Sequence, residues 1–302
     1  MGDRVAALIQ NLNKAIVGKD EAIRLVLVAL FSGGHALLED VPGVGKTLLA
    51  KSLARCIDGK FQRIQCTPDL LPADITGTNI WNPKSGEFQF MAGPVFTHIL
   101  LADEINRATP RTQSALLEVM EEHQVTLDGV SRPVPHPFFT IATQNPVEYQ
   151  GTFPLPEAQM DRFALSFSLG YPNEAEELEM LTRFSAPSKT QELQACITPE
   201  EVAAIQQKCT AVRVEASVQQ YLLALVRATR QHPDIALGVS PRGTVAFQKA
   251  AQAWAFLSDR DYVLPDDIKV LAPHVLAHRL IPAGGHRAAT LVADLLETVP
   301  VP

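Results

Sequence analysis

Several things are scarce in this sequence, and each shortage narrows what the chain can be. Its 302 residues hold only four cysteines, at positions 56, 66, 196 and 209, and no two of them form a C-x-x-C pair. A disulfide framework or a structural zinc site therefore has no basis here, and a reducing cytoplasm is the expected compartment. No window approaches the roughly 18 uncharged apolar residues of a membrane span. The longest candidate, LVLVALF at 25–31, stops at SGG. The opening MGDRVAALIQNLNK mixes polar and apolar residues at helical spacing, which is not the pattern of a signal peptide. Position 6 is Ala, so Gly2 lacks the downstream hydroxyl of a myristoylation site. Basic charge is also in deficit. The net charge of −7 argues against a broad nucleic-acid surface. Low-complexity tracts and internal repeats are missing as well.

What is present is the composition of a soluble globular protein with a real core, 46% hydrophobic and 20% charged, with room for one large domain or two modest ones. Val5, Leu8, Ile9, Leu12 and Ile16 form a helical stripe, and a second helix is expected from the turn at Gly18 to about Phe31. HALLED (35–40), FQRIQC (61–66), HILLADE (98–104), FFTIAT (138–143) and FALSFSL (163–169) read as strands, with HILLADE fully buried. A helix carrying Leu48, Leu49, Leu53 and Ile57 on one side follows the first strand, and RTQSALLEVMEE (111–122) follows the third. Two hairpins are expected, one over 76–91 and one over 124–135 turning at Asp128-Gly129. Strands alternating with helices give an α/β fold, a parallel sheet with helices on both faces. After Tyr171-Pro172 the strands stop, and helical patterns occupy 174–184, 199–209, 215–231, 241–258 and 265–279, with SAPSKT (185–190) as a loop. The expected organisation is an α/β core over 1–185 and a smaller all-α domain over 186–302.

Between the first strand and its helix stands EDVPGVGKT (39–47), a Walker A phosphate loop with Asp40 in place of the first glycine. Such a loop works because successive backbone N–H groups at a helix N-terminus wrap a phosphate. Lys46 would neutralise β/γ-phosphate charge, Thr47 would ligate Mg²⁺, and Gly43 and Gly45 sit where backbone and phosphate come close. Asp40 is expected to be tolerated because aspartate accepts unusual backbone angles better than most residues. An ordinary glycine-rich turn is the bland alternative.

The strand ILLADE ends in Asp103 and Glu104, two carboxylates at the edge where open α/β sheets bind ligands. Asp103 would hold Mg²⁺ through water and Glu104 would polarise an attacking water. Gln144 and Asn145 follow the next buried strand, where a polar side chain can orient that water. Arg162 precedes the last core strand and Arg242 follows Ser240-Pro241; a guanidinium can stabilise charge developing on a γ-phosphate. Taken singly, two acids ending a strand are as readily solvated as functional, and an arginine is more often a surface ion pair; their order along the chain lifts them above that reading.

In this combination the sequence resembles the AAA+ ATPases, P-loop NTPases with an all-α lid, and within them the MoxR group. The matching stretches are IVGKDEAI, LLEDVPGVGKTLLAKSLA, GPVFTHILLADEINRATPRTQSALLEVMEE, FFTIATQNPVEYQGTFPLPEAQMDRF, SPRGT and VLPDDIKVLAPHVLAHRL, from about residue 15 to 282. The resemblance implies ATP and Mg²⁺ as cofactors, with Pro42, Gly43, Val44, Gly45, Lys46, Thr47 and Leu48 around the nucleotide and Val17 and Gly18 against the adenine. It implies Thr47 and Asp103 as metal ligands, Glu104 as the Walker B base, Asn145 as sensor 1, Arg162 as an arginine finger and Arg242 as sensor 2, in cis or in trans. It further implies a homo-oligomeric ring, a hexamer by family habit, and a chaperone-like role toward a protein client, which in this group can carry a von Willebrand factor A domain. The hairpins match inserts that face a ring channel or a partner, making Trp81, Phe88 and Phe90 contact residues, or else a small local core. A nucleic-acid motor would want basic hairpins, whereas Lys84 is offset by Glu87 and Arg132 by Asp128. A magnesium-chelatase-like motor subunit and a nucleotide-gated scaffold with slow turnover stand as alternatives.

Overall fold

The structure, a computed structural model, describes residues 2–146, 151–185 and 193–302. The chain runs α1 (Gly2–Ala15), α2 (Asp20–Phe31), β1 (Ala36–Glu39), α3 (Lys46–Cys56), β2 (Phe61–Gln65), α4 (Pro72–Thr76), β3 (Gly77–Asn82), β4 (Glu87–Ala92), β5 (Ile99–Asp103), α5 (Pro110–Glu122), β6 (Gln124–Leu127), β7 (Val130–Pro133), β8 (Phe139–Gln144), α6 (Glu157–Met160) and β9 (Leu165–Phe167). It continues through α7 (Glu174–Ser185), α8 (Pro199–Thr210), α9 (Ala216–Gln231), β10 (Ile235–Leu237), α10 (Pro241–Leu257), α11 (Pro265–Leu276), β11 (Ile281–Pro282) and α12 (Ala288–Thr298).

Five strands form one sheet in the order β2-β5-β8-β1-β9, with β2 parallel to β5 and β5 parallel to β8. All five residues of β5 are buried, as are the first five of β8, the continuous burial of strands covered on both faces. On α3 the packed face is Leu49, Leu53 and Cys56, spaced i, i+4, i+7. Leu48 was expected on that face but is exposed, because it sits in the first turn, one step round the helix from this stripe.

Both hairpins form as expected. In the first, Trp81 pairs with Phe88 across β3 and β4. In the second, Asp128 and Gly129 both take positive φ, the geometry of a tight primed turn. No local signal in either segment indicates that the hairpins touch. The Asn79 amide donates to the Asp128 carboxylate at 2.5 Å, and the Arg132 guanidinium lies 4.2 Å from the centre of the Phe90 ring. Phe90 also packs edge-on against Phe96 at 5.5 Å. It therefore belongs to a local core, whereas Trp81 and Phe88 form an edge-to-face pair in solvent.

Contacts within the chain group it into two compact units. One comprises residues 1–23, 37–155 and 168–202, and the other comprises 24–36, 156–167 and 203–302. The 185/186 boundary and most of the SAPSKT loop fall at or within 186–192, outside the described residues. In the second unit α10 and α11 pack together around Phe247, Leu271 and Leu276. Ser240 caps α10, its hydroxyl accepting from the Gly243 amide at 3.0 Å and donating to Asp161 at 2.7 Å. Asp161 in turn takes the Nε of buried Arg279 at 2.8 Å. Strands do not quite stop after residue 172: β10 and β11 form a short antiparallel ribbon. α12, beyond the recognisable motifs, completes this largely helical part.

Candidate active site

The first unit carries the phosphate loop, Asp103, Glu104 and Asn145, because β5, β8 and β1 are neighbours and end at one edge of the sheet. The loop is shaped by two left-handed glycines, Gly43 at φ 89° and Gly45 at φ 100°. A β-carbon added to either would meet nothing within 4 Å, so the loop backbone borders open space, the cradle a phosphate needs. Gly45 leads directly into α3, whose first amides have no partner within the helix and face that cradle.

Lys46 is 8% exposed. Its ammonium donates to the carbonyls of Asp40 at 3.0 Å and Val41 at 3.3 Å, and among the described residues no carboxylate pairs with it. A buried cation answered only by two neutral carbonyls calls for an anion. The cradle, the helix N-terminus and this cation together fit a polyphosphate. Thr47 is half-buried beside it, and Pro42 and Leu48 are exposed.

Asp40 is where the sequence argument needs correction. Its φ is not positive, so tolerance of unusual angles is not the reason for an aspartate there. Its carboxylate is 4% exposed and takes three donors: the Ser168 hydroxyl at 2.6 Å, the Leu169 amide at 2.6 Å and the Gly170 amide at 3.0 Å. The side chain ties the start of the loop to the chain beyond β9, which a glycine could not do.

Asp103 and Glu104 share a brace that sequence reasoning missed. The Thr143 hydroxyl donates to Asp103 Oδ1 at 2.6 Å and accepts the Glu104 amide at 2.9 Å. Glu104 takes a left-handed φ of 55°, a conformation that carries a strain of about 1–3 kcal/mol for a non-glycine residue and gathers at functional sites. From β2, Arg63 donates to Asp103 Oδ2 at 2.6 Å and Gln65 to Glu104 Oε2 at 2.9 Å, while the Arg107 guanidinium lies 3.5 Å from Glu104. Arg63 and Gln65 are i, i+2 on a strand, so they share a face. Only the strand order, which places β2 beside β5, reveals that this face meets the two acids. Nearby, burial first and then these two carboxylates push the Cys66 thiol up to about 12.

Asn145 follows β8 and is half-buried, next to Gln144, whose carbonyl accepts the Asp40 amide at 3.2 Å and whose side chain donates to Glu39. Val17 and Gly18 lie between α1 and α2. A β-carbon on Gly18 would overlap the carboxylate of Glu176 from α7, which is held by the Asn173 amides at 2.9 Å. Arg162, between α6 and β9, and Arg242, in the first turn of α10, belong to the second unit.

Comparison with known proteins agrees with this geometry. Residues 35–165 match the ATPase family associated with various cellular activities (AAA), and residues 227–297 match the AAA lid domain. The chain is 49% identical to the YeaC protein of Bacillus subtilis over 97% of its own length and 93% of that protein's. It is 42% identical to Chaperone MoxR1 of Mycobacterium tuberculosis over 90% and 74% of the two chains. A crystal structure from Cytophaga hutchinsonii, assigned as an ATPase, superposes with a TM-score of 0.92 at 39% identity, covering 100% of this chain and 96% of that one. With its α/β core, its lid and these relatives, the chain belongs to the MoxR family of AAA+ ATPases.

Proposed function

We propose that this chain binds and hydrolyses Mg·ATP at the edge of its sheet, as one subunit of a hexameric ring, and uses the cycle to remodel a protein client. The observation that carries the reading is the buried Lys46 ammonium, unmatched by a described carboxylate, at the mouth of a loop opened by two left-handed glycines. Lys46 and the amides of the loop hold the β- and γ-phosphates. Thr47 and Asp103 offer the hard oxygen ligands that magnesium takes, and the ion, when bound, neutralises charge between the phosphates. Glu104, braced by Thr143 and Gln65, polarises the attacking water, and Asn145 orients it. Arg162 acts on the nucleotide of a neighbouring subunit and Arg242 completes the γ-phosphate contacts.

A protein client is supported by the name of MoxR1, a chaperone, and by the exposed Trp81–Phe88 pair on the first hairpin. A client with a von Willebrand factor A domain fits the same picture, and four free thiols accord with a reducing cytoplasm. No helix of the described residues is long and apolar enough to cross a membrane. The test is ATP hydrolysis per subunit across a protein dilution series, with particle mass read in parallel. Activity per subunit should rise as rings form. A flat profile from a monomer would leave only a self-contained site and remove the ring from the reading.

A further inference from the structure

Two of the four thiols lie side by side in the first unit, away from the phosphate loop. Cys56 closes α3, and Cys196 lies just ahead of α8. The Cys56 carbonyl accepts the Cys196 amide at 2.7 Å and the Ile197 amide at 3.3 Å. With standard bond lengths, the shorter of these bonds limits the two α-carbons to a separation of at most about 6.6 Å. A disulfide spans about 4.4–6.8 Å. Their sulfurs also interact, for Cys196 is among the causes that push the Cys56 thiol up to about 12, after burial itself. The two differ in access: Cys56 is fully buried and Cys196 only partly. The Asn11 side-chain amide donates to the Cys196 sulfur at 2.9 Å and holds it in place.

We propose that Cys56 and Cys196 form a reversible oxidation site, converted by a peroxide-class oxidant into an intramolecular disulfide. The Cys196 thiolate attacks one peroxide oxygen, the O–O bond breaks, and Cys196 becomes a sulfenic acid while the other oxygen leaves as water with the thiol proton. The Cys56 sulfur then displaces the hydroxyl from the Cys196 sulfur, giving up its own proton to form a second water. Two thiols and one peroxide become one disulfide and two waters, the two electrons passing from sulfur to oxygen. Burial keeps Cys56 out of the first step and fixes the order. The new bond ties the far end of α3, the helix that begins at Lys46, to the chain entering α8. Cys66 and Cys209 are buried elsewhere.

The experiment is to treat the full-length protein with hydrogen peroxide, quench it and read its mass and peptides without reduction. The expected result is the loss of two hydrogens, a cross-linked peptide joining Cys56 and Cys196, a thiol count in denaturant that falls by half, and full reversal by dithiothreitol. Cys196→Ser, at a half-buried position that tolerates a hydroxyl, should abolish the cross-link. Cys56→Ser should stop at a sulfenic acid on Cys196 that dimedone captures. The proposal is overturned if all four thiols survive peroxide, if Cys196→Ser still loses two hydrogens, or if the Cys196 disulfide joins two separate chains.

Discussion

At the scale of single residues, Asp40 shows what a broken motif can conceal. The consensus asks for glycine, and completing it would appear to be a repair. In this chain Asp40→Gly would strip the Leu169 amide and the Ser168 hydroxyl of their acceptor and leave the Gly170 amide only the Ser168 hydroxyl oxygen. Leaving such groups unsatisfied costs about 1–3 kcal/mol for each that water cannot reach. Chemical denaturation should therefore find the variant less stable by at least that much, and an unchanged midpoint would remove the tether. His278 supports a second test. It is half-buried, and its pKa is held well below the ordinary 6.5, first by desolvation and then by the adjacent Arg279 guanidinium. Above 6.5 both folded and unfolded states are neutral at this position and stability is complete. As pH falls below 6.5 the unfolded chain takes up a proton that the native one refuses, so stability drops by about 1.4 kcal/mol per pH unit from this residue. His278→Gln should flatten the unfolding free energy below pH 6.5 by up to that slope, while His98 and His123, also lowered by burial, keep their share.

At the scale of elements, the two hairpins behave as one piece. The Phe90–Arg132 contact joins them through a cation over a ring, an interaction worth about 0.5–1 kcal/mol near the surface. A double-mutant cycle with Phe90→Ala and Arg132→Ala should return a coupling of that size in unfolding free energy, and strict additivity would mean that this contact does not couple the hairpins. The hairpins were readable one by one, since Asp-Gly turns and alternating segments are local signals. Their contact was not, since Asn79 and Asp128 are brought together only by the fold between them. The same division runs through the site. Loop, acids and Asn145 were legible because each follows a buried strand in a fixed order. Thr143, Arg63 and Gln65 were not, because their partners are fixed by which strands lie adjacent. Short α4, the β10–β11 ribbon and α12 left no motif strong enough to call them out.

At the scale of the whole molecule, the proposed division of labour places Glu104 and Arg162 in different compact units, and in the ring reading they serve different nucleotides. That has a consequence for mixtures. Glu104→Gln keeps the loop and Lys46 but removes the polarising carboxylate, and Arg162→Ala keeps the carboxylate but removes the finger. Each alone should bind ATP and fail to hydrolyse it. Mixed together before assembly, a Glu104→Gln subunit still offers its Arg162 to an Arg162→Ala neighbour with an intact Glu104, so part of the activity should return. A mixture as inactive as its components would place both residues on one nucleotide.

The two tryptophans of the chain have meanwhile been assigned by the fold to different environments and different units. Trp81 stands half in solvent beside Phe88 on the first hairpin, and Trp254 lies on α10 with the Arg24 guanidinium 4.3 Å from its ring centre. Each unit thus carries its own built-in fluorophore. With Trp254→Phe, the remaining emission comes from the hairpin, open to quenchers and sensitive to anything that docks there. With Trp81→Phe, it comes from the helical unit, with a cation over the indole face. Changes at the hairpin and changes in the helical unit can be followed separately, by light alone, in an unlabelled protein.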